Sequence, residues 1–348
     1  MAIINEAGLK EQIKNESYSN AYLIYGEENY LKEHYVSLLK KKLVDPAFES
    51  FNLHQFDGKD ASLDDIIKDA QMLPMMSEYN FVLVRDYPIE KSKADLKLLK
   101  EFLEDVPEST VFVLVYEAIT PDPKSAGFKN LMSYFDKAGS VVNLEKRSEA
   151  EVAKLLSSGA KKRGSSLDIN NAKYLISVSG NDMKNLLNEL DKLSYFAKGG
   201  EITREIIDNM ATKCLQARVY DLSKAVVAGN FDSAYSVLDT LFSMKEDPIL
   251  ITSVISGVYV DMYRVKCAKI AGFAYDDVAS CFNYKGREFA LRNAARDCAG
   301  LSQNQLRKSL DAIADTDLKL KSTATDKKLL IEELIVKLVL IAKESANA

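Results

Sequence analysis

Two kinds of hydrophobic pattern divide the chain. In the first part, short apolar or alternating runs recur at 21–25, 51–56, 81–84, 111–116 and 141–144. Phe81-Val82-Leu83-Val84 and Val111-Phe112-Val113-Leu114-Val115-Tyr116 are continuous and rich in β-branched residues. Such runs suit strands buried on both faces of a parallel sheet. The intervals between them carry helical spacing, at 31–43, 63–72 and 94–103. Strand and helix alternate, which predicts an α/β layer over residues 1–145.

From residue 146 onward the strand pattern stops. Ser148-Glu149-Ala150-Glu151 fits a capping box, in which a hydroxyl and a carboxylate satisfy the free amides of a helix start. The helix it opens is expected to end near Lys162-Arg163-Gly164, with further helices at 170–178, 183–193 and 203–212. Met183, Leu186, Leu187, Leu190 and Leu193 repeat at three- and four-residue steps and form one apolar helical face. Residues 146–212 are thus expected to form a small helical unit. A longer helical unit over 213–348 follows, with helices at 218–228, 231–242, 248–271, 275–281, 288–298, 303–320 and 327–343. Proline supports this division. Six of the seven prolines fall at or before Pro123, and proline breaks helix interiors.

Composition narrows the function. The formal net charge of −5 does not suit bulk electrostatic wrapping of nucleic acid, which needs clustered Lys and Arg. Lys40-Lys41-Lys42 and Lys161-Lys162-Arg163 read as solvated helix ends, with a weak contact to DNA backbone as the alternative. Cys214, Cys267, Cys281 and Cys298 form no Cys-x-x-Cys pair, so neither a zinc site nor a disulfide framework is expected. His34 and His54 read as structural, and no nucleophile-base set or metal-ligand cluster can be assembled. No secretory signal is expected from the first residues. The most apolar stretch, 329–341, is interrupted by Glu332, Glu333 and Lys337, so no membrane span is expected. A cytoplasmic location is expected.

The turn after the first strand, where α/β proteins often cradle phosphate, reads Gly26-Glu27-Glu28-Asn29-Tyr30-Leu31-Lys32-Glu33. A working phosphate loop needs G-x-x-x-x-G-K-[ST]. Here Gly26 and Lys32 keep their places, Leu31 replaces the second glycine, and Glu33 replaces the Mg²⁺-binding hydroxyl. The turn is either a decayed phosphate loop or an ordinary strand-to-helix turn, and neither hydrolyses ATP. Arg85-Asp86 after the third strand reads as a charged pair at a strand end rather than a metal-binding acid. Before that strand stands Leu73-Pro74-Met75-Met76. Pro74 is expected to end the preceding helix. Met75 and Met76 then either close the local core or stand exposed, ready to enter a partner's pocket.

Taken in order, these segments resemble the delta subunit of the bacterial DNA polymerase III clamp loader. The likeness is carried by Tyr22-Leu23-Ile24-Tyr25-Gly26-Glu27-Glu28-Asn29-Tyr30-Leu31 and by Phe51-Asn52-Leu53 with Phe56-Asp57-Gly58. Leu73-Pro74-Met75-Met76-Ser77-Glu78 followed by Phe81-Val82-Leu83-Val84 adds to it. So do Gly180-Asn181-Asp182, Asn188-Glu189-Leu190-Asp191-Lys192-Leu193, Asp317-Leu318-Lys319 and Glu332-Glu333-Leu334. The resemblance implies an ATP-inactive AAA+ module with a parallel five-stranded sheet, a helical lid domain (146–212) and a helical collar domain (213–348). It implies no cofactor and no intrinsic catalysis, only membership of a polymerase holoenzyme that transfers nucleotides, associated with the replisome and nucleoid. The implied partners are the sliding clamp (beta subunit) through Leu73, Pro74, Met75 and Met76, the tau/gamma and delta-prime subunits through 213–348, and primed DNA indirectly or weakly. In this sequence Met75-Met76 stand where family members often carry aromatic residues. The sister delta-prime subunit would need a cysteine-rich zinc module in the α/β part, and no cysteine precedes Cys214. The competing readings are an ATP-binding AAA+ subunit of a related loader and a non-catalytic scaffold with residues 73–76 buried.

Overall fold

A computed structural model describes residues 3–282, 284 and 288–344. It divides into two compact units, residues 1–147 and 148–348.

The first unit is built on five strands: β1 (Ala21–Tyr25), β2 (Leu53–Asp57), β3 (Asn80–Arg85), β4 (Thr110–Val115) and β5 (Ser140–Asn143). All neighbours are parallel, in the order β2-β3-β4-β1-β5. Leu23 lies beside Leu114, and Val84 also lies beside Leu114, so β4 is paired on both sides. Alternate residues feed two cores, as the pleat requires. Ala21, Leu23, Val82, Val84, Phe112 and Leu114 pack with α4 (Leu63–Ala70), α5 (Lys93–Leu103) and α6 (Ala126–Ala138). Tyr22, Ile24, Phe81, Leu83, Val111 and Val113 pack against α1 (Glu6–Lys14) and α2 (Asn29–Leu43). Burial on both faces explains why these strands read as continuous apolar runs.

Two elements differ from the sequence pattern. The second strand starts at Leu53, because residues 49–52 wind into a single helical turn, α3 (Glu49–Asn52), and the buried Asn52 side chain turns away from the ladder. The helix expected over 63–72 ends at Ala70, where Gln71 is its C-cap. Helices α1 and α6 were not anticipated.

The second unit is helical. Its first part holds α7 (Glu149–Lys162), α8 (Ile169–Ser179), α9 (Met183–Ala197) and α10 (Arg204–Met210). Ser148 and Glu151 form the expected capping box. Met183, Leu186, Leu190 and Leu193 of α9 are buried, and Leu187 is half-buried. There follow α11 (Leu215–Val227), α12 (Phe231–Ser243), α13 (Pro248–Ile270), α14 (Tyr275–Cys281), α15 (Glu288–Asp297), α16 (Gln303–Ser322) and α17 (Lys327–Lys343). Helix α13 starts at Pro248, whose missing N–H costs nothing at a first position. It runs through the centre of this part, packing against α11 and α14 to α17. Ile251, Ile255, Tyr259 and Met262 supply its buried face. Among the described residues no helix is long and apolar enough to cross a membrane.

Candidate functional site

The connection between α4 and β3 carries the candidate contact residues. A helix end leaves carbonyls without partners, and here side chains from neighbouring strands take them. Asn80 Nδ2 donates to the Asp69 carbonyl (2.8 Å) and to the Met72 carbonyl (3.2 Å). Thr110 Oγ1 donates to the Ala70 carbonyl at 2.8 Å. Further along, Asn52 grips the backbone of Met75 in both directions. Its Nδ2 donates to the Met75 carbonyl (2.8 Å), and the Met75 N–H donates to its Oδ1 (2.6 Å). Asn52 and Asn80 are buried. Their side-chain amides are therefore held inside the protein, where a hydrogen bond is stronger than in water. Met76 follows with φ +53°, a left-handed conformation that costs free energy for a residue with a Cβ. His54 Nδ1 lies 2.9 Å from Asp69 Oδ2, bracing the end of α4.

A backbone held this firmly presents its side chains outward. Leu73 is 84% exposed, Met76 78% and Met75 52%, while Pro74 is half-buried. Met72 adds a fourth apolar group at 43%. The methionines do not close the local core, and the segment is not buried as the scaffold reading required. Large apolar groups clustered on a surface mark an interaction site more than scattered ones do.

The turn after β1 is closed on itself. Gly26 has φ +122°, and a Cβ there would lie 2.3 Å from the Leu144 carbonyl oxygen. Leu31 is buried in the core and Glu33 is exposed. Lys32 is buried, and its ammonium donates to the carbonyls of Gly26 (2.8 Å) and Tyr116 (2.6 Å). Burial lowers its pKa, while the carboxylates of Glu117, Asp86 and Glu28 act against that shift. The charge thus ties the end of β1 to the end of β4 rather than reaching outward. Asp86, with φ +53°, is likewise engaged: its Oδ1 accepts from the amides of Glu117, Ala118 and Ile119, each at 2.9 Å. Arg85 Nη1 donates to Gln55 Oε1 at 3.1 Å, and its Nε lies 3.6 Å from Glu117. Burial raises the Glu117 pKa, and Arg85 offsets part of that shift.

The other sequence candidates are either paired locally or exposed. Lys40 pairs with Glu49 (2.7 Å), Lys42 with Glu16 (2.9 Å) and Arg163 with Asp191, while Lys41, Lys161 and Lys162 are exposed. His34 stacks on Tyr30. All four cysteines are free, and among the described residues no His, Cys, Asp or Glu group is arranged to hold a metal ion. Sequence pattern did not mark Asn52, Asn80 or Thr110 as backbone clasps, and it read Asp86 only as half of a charged pair. Their one visible signal was polarity at the ends of apolar runs.

Comparison with known proteins gives one answer. Residues 22–145 match the family model described as DNA polymerase III, delta subunit, and residues 216–338 match that of the DNA polymerase III delta subunit, C-terminal domain. The chain is 24% identical over 326 residues to the DNA polymerase III subunit delta of Bacillus subtilis, covering 91% of this chain and 92% of that one. It is 22% identical over 256 residues to a probable DNA polymerase III subunit delta of Aquifex aeolicus, with 70% of each covered. The solved Bacillus subtilis DNA clamp loader delta protein superposes with a TM-score of 0.60 at 23% identity, over 96% of this chain and 99% of that one. This structural likeness shows a shared fold. With both of its halves matched by models of one family, the chain belongs to the DNA polymerase III delta subunits, components of the bacterial clamp loader.

Proposed function

We propose that this chain binds the sliding clamp through Leu73, Pro74, Met75 and Met76 and holds one interface of the ring open for loading onto primed DNA. The observation that carries this reading is the fixed, outward-facing loop: buried amides hold its backbone while Leu73, Met75 and Met76 stand exposed. Burying each such side chain in a pocket is worth about 1.5–3 kcal/mol. Two or three anchors supply several kcal/mol, and they bias the ring toward opening only if the pocket differs between closed and open rings. The pre-formed loop lowers the ordering cost of docking.

ATP binding and hydrolysis belong to neighbouring subunits in this reading. The closed turn around Lys32 and the engaged Asp86 support that assignment. Residues 146–212 act as the lid and 213–348 as the collar that joins the tau/gamma and delta-prime subunits. Helix α17 supports a collar contact, since Leu329, Val336 and Leu340 lie along it with 56%, 40% and 61% exposure. Contact with primed DNA is indirect. The test is release of clamp rings from circular DNA by the chain alone, without nucleotide. Release that disappears with Leu73→Ala/Met75→Ala/Met76→Ala supports ring opening. Tight clamp binding without release limits the role to tethering.

A further inference from the structure

The contact loop does not stand alone. It is welded to α3, a four-residue turn where the sequence pattern predicts strand. In that turn Asn52 points inward and grips Met75, while its neighbour Phe51 points outward and is 56% exposed. The exposed part of this ring adds nothing to the core and is free to pack against a partner. The helical turn separates the two side chains in this way.

We propose that the clamp-docking surface is composite, with Phe51 as a further contact residue and Asn52 as a positioning residue that presets the loop. The proposal rests on the clamp-binding reading above, and its partner is the same apolar pocket of the ring. Phe51 then adds a ring from a second segment to Met72, Leu73, Met75 and Met76, the two segments being joined through the Asn52–Met75 clasp. Phe51 offers a rigid ring with few rotamers to freeze, which suits an interface anchor. Asn52 touches no partner. It acts by keeping the binding-competent loop populated, because apparent affinity falls with the fraction of molecules in that shape.

The experiment combines two readouts on the full-length chain. Amide hydrogen exchange of the free chain follows the Met75 N–H, with the amides of Val82, Leu83 and Val84 as a control for the sheet. Association and dissociation rates are measured against the clamp of the same organism for wild type, Phe51→Ala, Asn52→Ala, Asn52→Ser and Leu73→Ala/Met76→Ala. If loss of the clasp leaves about a tenth of the molecules competent, Asn52→Ala associates about tenfold more slowly, with dissociation changed less than about twofold. Its Met75 amide exchanges about tenfold faster while the β3 amides hold. Phe51→Ala is expected to weaken binding about tenfold, chiefly through faster dissociation. If Asn52→Ala disturbs β3, Asn52→Ser supplies the same comparison with the smaller change. Wild-type association by both Asn52 variants despite faster Met75 exchange overturns the positioning role. Wild-type dissociation by Phe51→Ala overturns the contact. Failure of Leu73→Ala/Met76→Ala to weaken binding strikes the clamp-loop reading itself, and so separates the two failures.

Discussion

Replacing Lys32 by methionine asks whether this lysine is a structural tie or a phosphate ligand. The side chain is buried, and its ammonium donates to Gly26 O at 2.8 Å and Tyr116 O at 2.6 Å. Methionine keeps the length and removes both bonds. Hydrogen bonds from a charged donor are worth about 1.5–3 kcal/mol each, so about 3–6 kcal/mol of interaction is lost. The substitution also relieves the burial cost of the ammonium, the cost that lowers its pKa. That relief offsets a large part of the loss. A net destabilisation of about 1–3 kcal/mol remains, because two carbonyls are left without a donor. Lys32→Ala adds a cavity and costs more. Two compact units rule out a single two-state ΔG for the whole chain. The assay is therefore amide exchange at Leu23 and Ile24 in β1, which is expected to quicken by about 5- to 150-fold. The same variant leaves Mg²⁺-ATP affinity where wild type has it, at no measurable binding. Unchanged exchange in β1, together with lost nucleotide binding, would refute the structural role.

Other consequences follow from the same geometry. Gly26→Ala forces a Cβ to within 2.3 Å of the Leu144 carbonyl at φ +122°, so the first unit is expected to lose several kcal/mol and melt early in calorimetry. Ser148→Ala removes the hydroxyl half of a capping box and is expected to cost about 1 kcal/mol, read as faster exchange in the first turn of α7. Alkaline pH is expected to unfold the chain. Burial raises the phenols of Tyr22, Tyr35, Tyr116 and Tyr259 above the ordinary value of 10.0. The native state then holds more protons than the unfolded one, and stability present below that value falls as pH rises through it. Lys32 acts oppositely, but it is one group against several phenols. Phenolate absorbance that appears together with loss of helical signal would confirm the sign, and full phenol ionisation in a still-folded chain would contradict it.

Much of the scaffold was legible in sequence because burial leaves a repeating trace. Strands β3 and β4 are apolar on both faces, and α9 shows its buried stripe at helical spacing. The segment Leu73 to Met76 was only half legible, since pattern alone left its methionines either in the core or at the surface, and their exposure came from the structure. What holds them was not legible. Asn52 meets Met75 across 23 residues, and Asp86 meets the 117–119 amides across 31 to 33. Such side-chain-to-backbone bonds have no periodicity, and they arise only once the sheet brings distant segments together. For the same reason the second strand was expected two residues early, at 51 rather than Leu53.

The central claim is tested most directly by equilibrium binding of the full-length chain to the sliding clamp of its own organism, with wild type beside Leu73→Ala/Met75→Ala/Met76→Ala. Micromolar or tighter binding that weakens about a hundredfold or more in the variant, about 2.8 kcal/mol, is the predicted result. Equal binding by the two proteins would contradict it.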